Sequence, residues 1–159
     1  MKRPGFSLVF FIVATTVFAF NQPLDLKGIR TVNVTVADLS DDLVKDGVEK
    51  EALAAILDKA LREAGLVVLA QDQYRGTVPT VSLRVSDIKE PNGRFFATHI
   101  ALDCLDNVYN SRTAGPFSAI IWSNDVLQLL GAIDLDRVVE AEKTLIDLFL
   151  ADYAHANQQ

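Results

Sequence analysis

The sequence predicts an α+β domain, a two-layer sandwich in which two helices pack on one face of a mixed β-sheet. Three observations predict it. Period-two alternation of β-branched residues recurs along the chain. Two long stretches carry the apolar stripe of an amphipathic helix. Each long strand is apolar on one face only, so a single layer of helices suffices to cover the sheet. The predicted order of elements is β-α-β-β-β-β-α.

The chain opens with Lys2 and Arg3 ahead of an apolar run from Phe6 to Phe18. That run is short of the roughly 20 apolar residues that span a bilayer. Val17-Phe18-Ala19 places compact residues at the −3 and −1 positions of a cleavage site, which is the secretory pattern. Residues 1–19 are therefore expected to be a signal peptide, with an uncleaved anchor as the alternative. Residues 20–28 read as a linker, 29–155 as a single domain, and 156–159 as a tail. The expected location is exported, periplasmic or extracellular.

From Ile29 to Ala37, Val32, Val34 and Val36 alternate with Thr31, Asn33 and Thr35, the pattern of a half-buried strand. The acidic connection 38–47 follows. Leu53, Ile56, Leu57, Ala60, Leu61 and Ala64 then recur at helical spacing, and Gly65 is the expected stop. Leu66 to Ala70 reads as a short strand that completes a βαβ unit. Val81, Leu83 and Val85 mark the core face of the next strand, with Ser82, Arg84 and Ser86 opposite. Pro91-Asn92-Gly93 is a hairpin turn. In the returning strand Phe96, Thr98, Ile100, Leu102 and Cys104 are expected to face the core, and His99 and Asp103 the other side. The phase slips near Asp106-Asn107, which predicts a bulge or a strand end. A last strand is expected over 116–123, a helical turn over Val126 to Leu130, and a final helix capped by Asp134. Val138, Val139, Leu145, Ile146, Phe149, Leu150 and Tyr153 form its apolar stripe.

The whole chain carries 15 Lys+Arg and 21 Asp+Glu, a net charge of −6. Removing the two leader cations, Lys2 and Arg3, takes the mature chain to −8. Such a domain repels phosphate backbones and anionic lipid, which argues against nucleic-acid partners and against a basic membrane patch. The single cysteine, Cys104, excludes an internal disulfide and Cys-ligated zinc. Its phase with Ile100 and Leu102 reads as a buried thiol.

No P-loop, nucleophile elbow, zinc-protease helix or glycine-rich fingerprint is present, so no catalytic residue, metal or cofactor is assigned. Asp38, Asp41, Asp42 and Asp46 lack the spacing of a calcium loop and read as a solvated connection. The candidate binding residues are Arg84, His99, Asp103 and Trp122. His99 and Asp103 share the polar face, but four residues of strand separate them by about 13 Å. Arg84 or Ser82 of the adjacent strand is placed to approach one of them. Trp122 reads either as a ligand-stacking ring or as a plug at the core edge.

The helix segment LAAILDKALREAGLVVL resembles that of small exported bacterial proteins of unassigned function. So do the strands TVSLRVSDI and ATHIALDCLDNVY, the segment AIIWSND and the closing helix DLFLADYAHAN. That resemblance covers residues 27–157. The βαβ start alone, IRTVNVTVADL through LREAGLVVL, is similar to the N-terminal domain of the periplasmic Tol-Pal propeller protein. Both resemblances imply an envelope role and neither implies a site residue.

The expectation is a non-enzymatic exported module that binds a protein or envelope component through an open sheet face or a strand edge. Membrane contact is expected only through an uncleaved leader. Two alternatives stand beside it. One is a hydrolase-type enzyme using His99. The other is a small-ligand binder between sheet and helices, lined by Trp122 and Tyr109.

Overall fold

The computed structural model describes residues 26–90, 95–110, 112, 115–131 and 136–158. The leader, the Pro91-Asn92-Gly93 turn and the Asp134 cap lie outside the described residues.

β1 (Thr31–Val36) buries Val32 and Val36 and leads through α1 (Asp41–Lys45) into α2 (Lys50–Glu63). The acidic connection thus contains a short helix not expected from the sequence. Ser40 caps it by accepting a hydrogen bond from the Leu43 N–H, 3.2 Å, and Leu43 anchors it in the core. Leu53, Leu57 and Leu61 form the buried stripe of α2, each side chain contributing about 1.5–3 kcal/mol. Gly65 ends it at φ +88°, the left-handed region that glycine enters without a Cβ clash. β2 (Val67–Val68) is only two residues long and pairs in parallel with Thr31 and Val32.

The rest of the sheet is β3 (Thr80–Lys89), β4 (Phe95–Asn110) and β5 (Gly115–Gly131). The strand order is β2-β1-β3-β4-β5, with β1 parallel to β3 and the last two pairings antiparallel. α3 (Asp136–Asn157) lies on the same face as α2. Two helices on one side of a mixed five-stranded sheet make the α+β sandwich read from the sequence.

Two local expectations are corrected. The segment Val126 to Leu130 is not a helical turn but the end of β5, which runs 17 residues without a break. Its facing strand β4 extends 16 residues and offers backbone partners all the way to Gly131, so ladder pairing wins over a short local helix. The irregularity in the ladder falls at Cys104/Leu105 rather than at Asp106-Asn107, and Ile121 is the extra residue on β5.

The folded unit also reaches beyond the bounds 29–155. Leu26 is buried. Asn157 donates from Nδ2 to the Leu26 carbonyl (3.1 Å), and its Oδ1 accepts from the Gly28 N–H (2.8 Å). Tyr153 Oη donates to the Ile29 carbonyl at 2.8 Å.

Candidate binding surface on the open sheet face

Strand register fixes what the face opposite α2 and α3 presents. Across β3, β4 and β5 the successive rows are Ser82–Asp103–Ser123, Arg84–Ala101–Asp125, Ser86–His99–Leu127 and Ile88–Ala97–Leu129. Diagonal neighbours in such rows lie within reach of long side chains.

Asp103 sits at the centre of this face and is buried, 2 % exposed. Arg84 covers it, donating from Nη2 at 2.7 Å and Nε at 3.0 Å to Oδ2. Ser123 donates to Oδ1 at 2.6 Å. A carboxylate removed from water needs such compensation, and three donors supply it. Arg84 itself remains half-exposed. One row away, His99 Nε2 lies 3.0 Å from Asp125 Oδ2. Three of the four candidate residues are therefore brought onto one patch, with Asp103 bound to Arg84 and His99 bound to Asp125.

This polar centre is flanked by apolar side chains that face water. Ile88, Leu127 and Leu129 stand at one end and Ile120 at the other, each about half-exposed or more. Sequence reasoning missed Asp125 and these leucines because it ended the strand at Ser123, and it gave Ser123 itself, inside that strand, no role. Continuing the alternation from Trp122 through Leu130 would have placed them. Beside the patch is a small hollow of about 210 Å³, lined by hydroxyl and amide groups such as Thr35, Ser82, Asn107 and Ser118.

Trp122 is on the opposite side of the sheet. It is buried under α3, donates from Nε1 to Asp152 at 2.8 Å, and meets Phe149 edge-on with ring centroids 5.1 Å apart. That is the core-edge arrangement of the two read from the sequence. Cys104 is fully buried, and burial, with Asp106 and Asp103 nearby, pushes its thiol up to about 12. The acidic run is engaged with lysines: Asp38 with Lys50 at 2.6 Å and Asp46 with Lys89 at 3.1 Å. No described helix is long and apolar enough to cross a membrane.

No family model and no curated protein matches the chain. Solved structures do. A leucine-to-methionine variant of PelC from Paraburkholderia phytofirmans, described as a dodecamer, matches with TM-score 0.50 at 18% identity, covering 88% of this chain and 98% of that one. A second PelC dodecamer structure from the same organism matches with TM-score 0.45 at 13% identity, covering 89% and 97%. A minor lipoprotein from Acinetobacter baumannii matches with TM-score 0.31 at 8% identity, covering 80% and 93%. At this level of identity the first likeness shows a shared fold and nothing finer: the chain is similar in fold to PelC over most of both lengths.

Proposed function

We propose that this protein is an exported, non-enzymatic module of the cell envelope that binds protein, with copies of itself as the first partner. Binding uses the open sheet face and the outer edge of β5. The observation that carries this reading is β5 itself. It is a 17-residue edge strand whose open-face side chains include Ile120, Leu127 and Leu129, all substantially exposed. Edge strands in isolated domains are usually short, charged or covered, because a long apolar edge pairs with another chain. The Arg84–Asp103–Ser123 cluster supplies a rigid polar centre, and the apolar flanks supply desolvation energy, the usual division of labour in an interface. The PelC chain that shares this fold is described as a dodecamer, which adds support for self-association.

The hydrolase reading has less behind it. His99 is turned toward Asp125, and the Ser123 hydroxyl is committed to Asp103. Ser86, the direct neighbour of His99 on β3, donates its hydroxyl to the His99 backbone carbonyl at 3.5 Å and not to the imidazole ring.

Light scattering on the protein secreted from the full gene tests the proposal. The expected result is a multi-subunit species that Leu127→Asp with Leu129→Asp converts to a monomer of unchanged circular dichroism. A wild-type protein that stays monomeric at every attainable concentration sinks it.

A further inference from the structure

The opposite edge of the sheet carries a different feature. β2 stops after Val68, and the last bond it supports is from the Leu69 N–H to the Val32 carbonyl, 3.0 Å. Beyond that point β1 continues to Val36. Asn33 and Ala37 direct their N–H groups to β3, bonding the carbonyls of Pro79 at 2.8 Å and Leu83 at 2.9 Å. By strand alternation the N–H and C=O of Val34 and Val36 point the other way. There no partner for them is found among the described residues.

This half-edge is the floor of a groove of about 790 Å³. One wall is α2, with Glu51 and the small Ala54; the other is the segment after β2, with Leu69 and Tyr74. Asn33 lines it too, and gives a second, independent sign of a missing partner. It is 2 % exposed, and its Nδ2 is committed to the carbonyls of Arg75 and Val78, both at 3.0 Å. Its Oδ1 is buried without a hydrogen-bond partner among the described residues. A buried acceptor left unpaired is destabilising, which marks this stretch of β1 as incompletely satisfied.

We infer that this groove is a docking site for an extended peptide segment of a partner protein, added beside β1 as a continuation of β2. The occupant's chemistry follows from what lines the groove. Unpaired backbone donors and acceptors are matched by another extended backbone. A helix has already used its own backbone groups internally. The edge of a wide sheet cannot enter between α2 and the segment after β2. Four residues of free edge, Asn33 to Val36, give a contact about 13 Å long at ~3.3 Å per residue. Side chains on the α2 side of the peptide meet Ala54, whose small size leaves room for the β-branched residues that extended segments favour. Lys50 is paired with Asp38 and Arg62 with Asp58, whereas Glu51 has no ion pair among the described residues. The peptide therefore carries a Lys or Arg toward Glu51. This inference does not rest on self-association through β5, which uses the far edge.

The test is to pan a phage library of random peptides, about seven residues long, on the full secreted protein. Enriched sequences are then titrated as capped peptides into nitrogen-15-labelled protein. The expected peptides alternate β-branched residues with a recurring Lys or Arg, shift the amide signals of Val34 and Val36, and weaken about tenfold or more against Glu51→Lys. Val34→Pro removes the groove-facing N–H without touching a bond to β3, and should abolish binding. If that variant misfolds, Ala54→Trp, checked for a wild-type melting temperature, fills the groove and should do the same. No enrichment, or binding that survives Ala54→Trp, overturns the inference. Running the same titration on the Leu127→Asp, Leu129→Asp protein separates this outcome from the fate of the self-association reading.

Discussion

Glu142 is a carboxyl on the core stripe of α3, fully buried, with neither oxygen hydrogen-bonded among the described residues. Burial raises its pKa from the ordinary 4.5 to about 8, with Lys143 pulling only weakly the other way. The unfolded chain releases this proton near 4.5, while the folded chain holds it to about 8. Stability is therefore greatest below 4.5 as far as this group is concerned, and declines as pH rises between the two values. Glu142→Gln should flatten that decline. Glu142→Leu should stabilise the protein at alkaline pH by a few kcal/mol, since each tenfold change in proton affinity is worth ~1.4 kcal/mol. Thermal melts across this pH range check it; a wild-type profile identical to that of Glu142→Gln refutes it. Glu142 was legible in principle. It falls at helical spacing with Val138, Leu145 and Phe149, but its charge kept it out of an apolar stripe chosen by residue type. Asp103 was legible as far as its face and its neighbour: alternation placed it on the open side with Arg84 of the adjacent strand in reach, and only its burial could not be read from one strand.

Among the elements, β4 and β5 show how far alternation can be trusted. The buried set Trp122, Asn124, Val126 and Leu130 contains a polar residue, and the outward set contains Leu127 and Leu129. This blurs the usual polarity along the end of β5, so a local reading of VLQLL prefers a helix. Pairing with β4 is the nonlocal term that overrules it. The βαβ start was legible because its apolar residues and its glycine agree with each other at short range. The Asp103 cluster ties the three long strands together through Arg84 of β3 and Ser123 of β5. Asp103→Ala leaves Arg84 and Ser123 without their acceptor and should cost about 1–3 kcal/mol, with Arg84's exposure limiting the loss. Ser123→Ala should cost less than Asp103→Ala, since it removes one of the three donors. Urea denaturation decides this; equal small effects from both variants would show that the cluster does not brace the sheet.

For the molecule as a whole, the architecture followed from the order of elements, since one-sided strands leave one place for two amphipathic helices. What surfaces do was not legible from one chain, because the exposed β1 half-edge depends on where β2 stops. Residues 1–19, read from the sequence as a leader, are expected to be dispensable for the folding of the described domain. Expression from Phe20 should yield a soluble protein that melts cooperatively, and mass spectrometry of the exported protein should find its first residue near Phe20. Retention of Met1 to Ala19 in that protein would contradict the secretory reading.

The contacts of Asn157 with Leu26 and Gly28 bring the start of the fold against its last helical turn. Topologically, the domain is nearly a closed ring of chain, held shut by side-chain hydrogen bonds in place of a peptide bond. A tether attached beside Leu26 and one attached beside Asn157 would therefore act at a single point of the domain surface, and a label placed at either position reports on both.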